Sequence, residues 1–272
     1  MTRDARLLLV GGGKMGGALL AGWLARGAAR ERIAVVEPGA VAESLSRAHG
    51  VAVLPSLGAV PPSFRPEAVI FAVKPQAMDA AAPPYRRYVG PGTLFLSIAA
   101  GKTIGYFRKL LGDGAAIVRA MPNTPAAVGR GMSVCCAGPG VAAVERELAT
   151  TLLEAVGEVA WVEDEALIDA VTAVSGGGPA YVFLLVECLA KAGIASGLPP
   201  ELAEKIARAT VAGSGELLRQ SSEPPEVLRQ NVTSPGGTTL EALKLLMAAD
   251  GLQPIFDRAI AAATRRSREL AS

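Results

Sequence analysis

The sequence predicts an α/β fold, with a doubly wound N-terminal domain at residues 1–163 and an all-α C-terminal domain at residues 164–272. Up to about Trp161, short apolar runs alternate with helical stretches, which is the pattern of a sheet covered by helices. After about Glu163 the strand-like runs disappear and only helical stretches follow. A glycine-rich turn directly after the first apolar run agrees with the first of these domains.

Seven apolar runs in the N-terminal part predict buried strands, because continuous apolar residues suit strands that are covered on both faces. These runs are residues 6–10, 33–37, 68–73, 93–98, 115–121, 132–137 and 158–162. Helices are predicted between them, among them Met15–Ala25 and Val41–His49. The alternation of strand and helix predicts a parallel sheet with helices on both faces.

The C-terminal part predicts only helices, which proline and glycine separate. The predicted helices are Glu165–Val174, Pro179–Ser196, Pro199–Leu218, Pro224–Asn231, Thr238–Ala249 and Leu252–Leu270. The proline pairs at 199–200 and 224–225 fit the first turn of a helix, where a missing N–H breaks no hydrogen bond.

Composition argues against several classes of function. The 272 residues are 50% hydrophobic, and the net charge of +2 is too small to indicate a nucleic-acid or membrane surface. The cysteines Cys135, Cys136 and Cys188 and the single histidine His49 are too few for a structural metal site and favour reduced, cytosolic thiols. No signal sequence is recognisable, and no apolar stretch is expected to reach the roughly 18 residues of a membrane span. We therefore expect a soluble, cytoplasmic protein without a metal ion.

The segment "LLLVGGGKMGG" carries the glycine fingerprint of a dinucleotide-binding site. Gly11 permits a tight turn, Gly13 lets a pyrophosphate approach the backbone, and Gly16 lets the next helix pack closely. The helix N-terminus offers free N–H groups to phosphate. This context predicts a Rossmann domain, and a purely structural glycine turn is the alternative. The predicted cofactor contacts here are Val10, Gly11, Gly12, Gly13, Lys14 and Met15.

Glu37 ends the second apolar run. An acid at this position accepts hydrogen bonds from the adenosine ribose and repels a 2′-phosphate, so Glu37 by itself favours NAD over NADP. Lys14, inside the glycine loop, could offset that repulsion. An ordinary exposed glutamate at a strand end is the alternative interpretation.

Three further strand ends predict the rim of the same site, because ligands of doubly wound sheets bind beyond the carboxyl ends of the strands. The three exits are "FAVKPQ", "SIAAGK" and "RAMPNTPAAVG". The small residues of the second exit leave room for a cofactor ring, and the amide of Asn123 in the third can orient a carboxamide. The predicted cofactor contacts are Ala72, Val73, Lys74, Pro75, Ala99, Ala100 and Asn123.

Two glycine-rich segments in the C-terminal part predict substrate contacts. In "DAVTAVSGGGPAY" a helix is predicted to end at three glycines, with Thr172 and Ser175 as hydrogen-bond donors to a ligand. A flexible corner between two helices is the alternative. In "NVTSPGGTT" the capping-box spacing of Thr238 and Glu241 predicts that a helix begins at Thr238. The glycines in front of it leave backbone N–H groups that can hold a small carboxylate. A plain helix cap is the alternative here.

The segments "GGGKMG", "AVKPQ", "RAMPNTPA", "DAVTAVSGGGPAY" and "NVTSPGGTT" occur in the order and spacing of pyrroline-5-carboxylate reductases, which the chain resembles over essentially its whole length. The specific parts are "MPNTP" and "NVTSPGGTT", whereas many dehydrogenases share the glycine fingerprint. The resemblance implies reduction of 1-pyrroline-5-carboxylate to L-proline with NADPH, or with NADH, in the last step of proline biosynthesis. It also implies an interlocked homodimer built from the C-terminal domains, and dimers that often assemble into decamers.

The resemblance also implies roles for single residues. Thr239 corresponds to the substrate-binding threonine, and Thr172 to the hydroxyl near the ring nitrogen of the substrate. Glu165 and Asn231 correspond to a substrate-side and a cofactor-side contact. The predicted catalytic residue is Thr172, and the predicted substrate contacts are Glu165, Ser175, Gly176, Gly177, Gly236, Gly237, Thr238 and Thr239. Three positions depart from the family. Gly177 replaces a common serine, Lys14 replaces the usual Asn or Gln, and Glu37 stands where many NADPH users have a neutral or basic residue. Lys14 and Glu37 leave the choice between NADPH and NADH open.

These residues suit an imine better than a ketone. The helical part offers no histidine and no obvious general acid, which the alkoxide formed from a ketone would need. A cyclic imine can arrive protonated, so orientation and exclusion of water are the main tasks. One alternative is a β-hydroxyacid dehydrogenase, although the first lysine after the glycine segment is Lys191. The other is a dinucleotide-binding protein without turnover.

Overall fold

An eight-stranded sheet forms the N-terminal part of the chain in the computed structural model, which describes residues 5–271. The strands are β1 (Leu7–Val10), β2 (Ile33–Val36), β3 (Ala52–Leu54), β4 (Ala68–Phe71), β5 (Leu94–Ser97), β6 (Ala116–Met121), β7 (Gly131–Ala137) and β8 (Gly157–Val162). Their order across the sheet is β3-β2-β1-β4-β5-β6-β7-β8. All seven predicted strands are confirmed, and the short β3 was not predicted.

Helices cover the sheet and make up the rest of the chain. They are α1 (Lys14–Ala25), α2 (Val41–His49), α3 (Met78–Ala81), α4 (Ile104–Leu111), α5 (Ala143–Glu154), α6 (Leu167–Val171), α7 (Gly178–Ala195), α8 (Pro200–Gln220), α9 (Pro225–Asn231), α10 (Thr238–Leu246) and α11 (Leu252–Ala271). From α6 onwards the described chain contains helices only, as predicted.

Both faces of the sheet are buried, which explains the continuous apolar runs. Leu7 and Leu9 of β1 belong to the core that contains Trp23 of α1. Leu8, between them, points to the other face and belongs to the core that contains Phe107 of α4. Each buried leucine contributes roughly 1.5–3 kcal/mol to folding. The strand ends that carry the predicted site are therefore held by a rigid sheet.

One strand contradicts the prediction of a parallel sheet: β7 runs antiparallel to β6, with Arg119 opposite Cys136. The reason is the short connection, because residues 122–130 contain only the 3₁₀ turn Thr124–Val128 and no crossover helix. The apolar pattern of β7 did not reveal its direction, since most of its residues are buried as in the parallel strands.

The described residues divide into two compact units, residues 5–176 with 263–271, and residues 177–262. The end of α11 belongs to the first unit, because the hydroxyl of Ser267 donates a hydrogen bond to Asp169 Oδ1 at 2.6 Å. The backbone of Leu270 also lies against Gly101. The predicted domains included residues 1–4 and 272, which lie outside the described residues. The predicted boundary after residue 163 follows the change of fold type and stays a prediction.

The segment with three glycines does not form the predicted end of a helix. A π-helical turn, Thr172–Gly176, follows α6 directly, and α7 begins at Gly178. By length and composition alone, the helical segment Leu167–Ala195 is long and apolar enough to cross a membrane, which corrects our expectation that no stretch reaches that length. The core helix of a soluble protein passes the same test, so one such helix is weak evidence for a membrane span.

The adjacent thiols of β7 are buried and free. Burial, followed by the neighbouring thiol, raises the pKa of Cys135 to about 12, and burial followed by Glu165 raises the pKa of Cys136. Because the thiolate is the reactive form, neither thiol is expected to react with Ellman's reagent near pH 8.

Counting released thionitrobenzoate checks this expectation. Without denaturant, Cys135 and Cys136 are not expected to react, whereas all three cysteines should react in guanidinium chloride. Fast reaction of Cys135 in the native protein would show that strand β7 opens to solvent.

Candidate active site

The predicted cofactor site lies at the carboxyl ends of β1 and β4. These strands are neighbours in the sheet, and the chain continues from β1 to β2 on one side and from β4 to β5 on the other. Open α/β sheets bind ligands in the crevice at such a switch point. The topology therefore places the glycine loop and the exit of β4 beside each other.

The glycines of the loop differ in how much space surrounds the position where a Cβ would lie. Gly11 has φ +99°, and a Cβ there would lie 2.8 Å from the carbonyl carbon of Ala72 and from Val73 Cγ1. A Cβ on Gly16 would lie 2.2 Å from the carbonyl oxygen of Gly11. A Cβ on Gly13, by contrast, would meet no described atom within 4 Å. Gly11 and Gly16 are therefore packed against the sheet and leave no room for a side chain. Gly13 faces open space, where a pyrophosphate can approach.

Helix α1 begins at Lys14 without a side-chain cap, and its N-cap residue is Gly13. The first N–H groups of the helix, from Lys14 onwards, therefore remain available to an anion. Lys14 itself is exposed, and Met15 is half-buried. The N–H of Gly12 is already used, because it donates to Glu37 Oε2 at 2.7 Å. The predicted contacts of this loop are brought together at one end of the sheet.

The exits of β4 and β5 lie on the same rim. Lys74 is exposed, and Pro75 opens a 3₁₀ turn, Pro75–Ala77. After β5, Ala99 is buried and Ala100 is exposed, so only the second offers its side chain to a ligand. These positions fit the predicted cofactor contacts, which remain predictions.

The exit of β6 packs on the π-helical turn. The Asn123 amide nitrogen donates to Ser175 Oγ at 3.2 Å, and its oxygen accepts from the N–H of Met132 at 2.8 Å. A Cβ on Gly176 would lie 2.6 Å from Met121 Cε. The structure therefore brings the predicted cofactor contact Asn123 together with the predicted substrate contacts Ser175 and Gly176.

Thr172 opens the π-helical turn and is half-buried. Its hydroxyl donates to the carbonyl oxygen of Ile168 at 2.7 Å. Because this bond uses the hydroxyl hydrogen, the oxygen is left to accept hydrogen bonds, and the predicted role of Thr172 as a donor is wrong. Single π-helical turns are frequent at functional sites, and Thr172 is the first residue of this one.

Two hydrogen bonds within the first unit fix the carboxylate of Glu165. Its Oε1 accepts from Arg119 Nη1 and from the N–H of Ile104, both at 2.8 Å. Arg119 is only 3% exposed, so Glu165 is the counter-ion of a buried charge. No role was predicted for Arg119 from the sequence. A charged residue inside the apolar run "AAIVRAM" is the feature that could have indicated one.

In the second unit, Ser234-Pro235-Gly236-Gly237 forms a tight turn that leads into α10. The N–H of Gly237 donates to the Ser234 carbonyl at 3.0 Å, and Gly236 has φ +69°, as the third residue of a type II turn requires. Helix α10 begins at Thr238, as predicted, and both Thr238 and Thr239 are exposed.

The predicted capping box of α10 is wrong. The N-cap residue is Gly237, which has no side-chain oxygen, and the Glu241 carboxylate pairs with Lys244 at 2.6 Å instead. Consequently the N–H groups of Thr238 and Thr239, in the first turn, lack a partner within the helix. This change leaves more donors for an anion than the capping box would have left.

Gly177, Asn231 and Lys191 also lie in the second unit. Gly177 is half-buried with helical backbone angles and lies just before α7. Asn231 ends α9, is exposed, and donates to Glu223 Oε2 at 3.3 Å. Lys191 is exposed on α7 and pairs with Glu187 at 3.7 Å. Within residues 5–271, no three His, Cys, Asp or Glu side chains are grouped to hold a metal ion.

Comparisons with known proteins cover both parts of the chain. Residues 6–101 match the family model described as NADP oxidoreductase coenzyme F420-dependent, and residues 165–270 match pyrroline-5-carboxylate reductase dimerisation. The chain is 38% identical over 267 residues to the pyrroline-5-carboxylate reductase of Pseudomonas aeruginosa, which covers 98% of this chain and 97% of that protein. The chain belongs to the pyrroline-5-carboxylate reductase family.

Other members agree over the same extent. The Synechocystis pyrroline-5-carboxylate reductase is 41% identical over 269 residues, 97% of this chain and 98% of that protein. The solved structure from Coxiella burnetii has a TM-score of 0.91 at 34% identity and covers 98% of this chain and 99% of its own. The Plasmodium falciparum pyrroline carboxylate reductase with NADP bound has a TM-score of 0.83 at 28% identity, with full coverage of both chains.

Family membership gives a reason for the apolar surface of the second unit. Large apolar side chains of α7 are exposed in the single chain, among them Val182, Phe183, Leu184 and Leu185. Apolar patches of this kind mark surfaces that bind another protein. The dimerisation model of the family spans all of α7. This match supports homo-oligomerisation and explains why the helix is apolar without requiring a membrane.

Proposed function

We propose that the chain reduces 1-pyrroline-5-carboxylate to L-proline with NAD(P)H, the last step of proline biosynthesis. Two pyrroline-5-carboxylate reductases, at 38% and 41% identity, support the reaction. The relative with NADP bound supports a nicotinamide dinucleotide as the cofactor. The fit of the glycine loop, closed at Gly11 and open at Gly13, supports a dinucleotide.

The observation that carries this proposal is the hydroxyl of Thr172. Its hydrogen is donated to Ile168, so the oxygen can accept a hydrogen bond but has no second hydrogen to donate. Such an acceptor suits the N–H of a protonated cyclic imine. It does not suit a ketone, whose reduction needs a proton donor.

When bound, NAD(P)H supplies a hydride to the imine carbon. The glycine loop is proposed to bind its pyrophosphate. Ala99 and Ala100 are proposed to lie beside its nicotinamide ring, and Asn123 and Asn231 to make further contacts with the cofactor. The electron pair of the C=N bond moves to nitrogen as the carbon is reduced, so the positive charge is cancelled and this step needs no general acid. Orientation of the reactants is then the main contribution of the chain.

We assign the substrate carboxylate to the turn at Gly236 and Gly237 and to the first residues of α10. The free N–H groups of Thr238 and Thr239 and their exposed hydroxyls support this assignment. Glu165, Ser175, Gly176 and Gly177 are proposed as the remaining substrate contacts.

We further propose a homodimer formed by the helical part, the assembly of these dimers into a decamer, and a cytoplasmic location. The domain boundary is placed after residue 163. The match to the dimerisation model supports the dimer. Light scattering of the purified protein measures its mass in solution and checks the assembly.

Oxidation of NADH and NADPH, followed at the nicotinamide absorbance with pyrroline-5-carboxylate as substrate, tests the reaction. Formation of L-proline in step with cofactor oxidation is the expected result. Turnover of 3-hydroxy acids but not of the imine would support a β-hydroxyacid dehydrogenase. Cofactor binding without any turnover would support a non-catalytic protein.

Replacing Thr172 with valine is expected to lower kcat/KM roughly 10–100-fold, because one hydrogen bond to a charged group contributes about 1.5–3 kcal/mol. Thr172→Ser keeps the acceptor and is the matched control, which should stay within a few-fold of wild type. Wild-type kcat/KM in Thr172→Val would remove the residue from the mechanism.

Replacing Thr239 with valine is expected to raise KM for pyrroline-5-carboxylate roughly tenfold and to leave KM for the cofactor unchanged. The hydroxyl is proposed to touch only the carboxylate, which explains the selective effect. Thr233→Val, in the same unit but bonded to the backbone of Arg229, serves as the control and should not alter KM. An unchanged KM in Thr239→Val would contradict the carboxylate site.

A further inference from the structure

We propose that Glu37 makes this protein select NADH over NADPH, an inference that rests on the proposed function for its kinetic readout. The family comparisons name NADP, in the description of one matched family and in the bound state of one relative, and each statement concerns that family or that relative. The residues at the end of β2 determine the choice in this chain.

Glu37 lies at the position that meets the adenosine ribose in Rossmann domains. It follows β2 directly, and its backbone N–H donates to the carbonyl of Leu54 at 2.9 Å, which anchors it beside β3. Its carboxylate reaches the glycine loop, where Oε2 accepts from the N–H of Gly12 at 2.7 Å. An acid at this place accepts hydrogen bonds from the 2′-hydroxyl of NAD.

The carboxylate is held from both sides. Oε1 accepts from the N–H of Gly39 at 2.7 Å, so each oxygen of Glu37 has its own backbone donor. A Cβ on Gly39 would lie 2.6 Å from Oε1, so the glycine leaves room for the carboxylate in this position. Moving the carboxylate away from a 2′-phosphate would break both hydrogen bonds. The site therefore cannot relax cheaply to admit the phosphate.

Among residues 5–271, no base forms an ion pair with the Glu37 carboxylate. Residues 38–42, Pro-Gly-Ala-Val-Ala, contain neither a base nor a hydroxyl, whereas NADP-binding sites place an arginine nearby. On α2, Arg47 pairs with Glu43. Lys14 is exposed, and across residues 5–271 Glu37 forms no ion pair with it or with any other base. A 2′-phosphate would thus face an uncompensated carboxylate.

The first experiment compares ligands on the unaltered protein, so that folding of a variant is not in question. Isothermal titration calorimetry measures Kd for ADP-ribose and for 2′-phospho-ADP-ribose, and then for NAD⁺ and NADP⁺. The form without the phosphate is expected to bind at least about tenfold more tightly in each pair, since like charges a few ångströms apart repel strongly. Equal or tighter binding of the 2′-phosphorylated ligands would overturn the proposal.

The second experiment measures kcat/KM for NADH and NADPH with pyrroline-5-carboxylate. Glu37→Gln keeps the shape of the side chain and removes its charge, and should lower the NADH-to-NADPH ratio at least about tenfold, mainly through KM for NADPH. Glu43→Gln removes the same charge from α2 and is the matched control, with an unchanged ratio expected. A ratio that changes equally in both variants would overturn the proposal.

The two readouts separate this inference from the proposed function. Turnover of pyrroline-5-carboxylate with NADPH preferred would support the reaction and overturn the role of Glu37. Tighter binding of NAD⁺ than of NADP⁺ by a protein that reduces no imine would support the role of Glu37 and overturn the reaction.

Discussion

Replacing Gly11 with alanine is expected to abolish measurable binding of the dinucleotide and to lower the midpoint of thermal unfolding. The residue has φ +99°, and a Cβ would overlap the carbonyl group of Ala72 at 2.8 Å. The left-handed backbone costs roughly 1–2 kcal/mol for a non-glycine residue, and overpacking costs typically 1–3 kcal/mol more. At roughly 2–4 °C per kcal/mol, the midpoint should fall by about 5–15 °C.

Gly13→Ala is the matched control for this prediction. Gly13 has φ −63°, and no described atom lies within 4 Å of a Cβ there, so the change should cost less than ~1 kcal/mol of stability. It should nevertheless weaken NAD⁺ binding roughly tenfold or more, because the methyl group occupies the open side of the loop. Calorimetric scanning and titration of both variants measure the two effects separately. Equal thermal midpoints for the two variants would show that a side chain at Gly11 is no more crowded than one at Gly13.

Replacing Glu165 with alanine is expected to lower the free energy of unfolding by about 3 kcal/mol. The change leaves Arg119, which is 3% exposed, without its counter-ion, and it also removes the acceptor of the Ile104 N–H. An unpaired buried charge is among the most destabilising single changes known in proteins. Thermal unfolding measures the loss.

Two further variants make this prediction specific. Glu163→Ala breaks the exposed pair with Arg146 on the same part of the chain and should cost less than ~1 kcal/mol. Arg119→Met combined with Glu165→Gln removes both charges and should recover most of the stability. Unchanged stability in Glu165→Ala would contradict this prediction. A rise in substrate KM in Glu165→Gln would support the substrate contact that we propose for Glu165.

Much of the fold was predictable because each strand of a doubly buried sheet carries its own apolar run. Trp23 and Phe107 lie on opposite faces of the sheet, and both faces need apolar residues from every strand. The direction of β7 was not predictable in this way, since burial on both faces is the same for parallel and antiparallel strands. Strand β3 is only three residues long and too short for a recognisable run.

Most glycines and hydroxyls of the candidate site could be proposed from the sequence because turns and hydrogen bonds restrict the residue types that fit there. Gly11 and Gly236 have positive φ, and Thr172 needs a hydroxyl to act as an acceptor. Arg119 was missed because its partner lies 46 residues away, in Glu165, and separation along the chain hides such pairs. The capping box at Thr238 was predicted wrongly because spacing does not show which residue becomes the N-cap.

The sequence by itself determined the two fold types, the dinucleotide fingerprint and the family, because these depend on local periodicity and on residues that only one backbone geometry accepts. Only the tertiary structure showed what the charged side chains face. Glu37 reaches back to Gly12, Glu165 reaches Arg119, and the end of α11 reaches Asp169. Electrostatic roles depend on distance and burial in space, and the spacing of residues along a chain does not report either quantity.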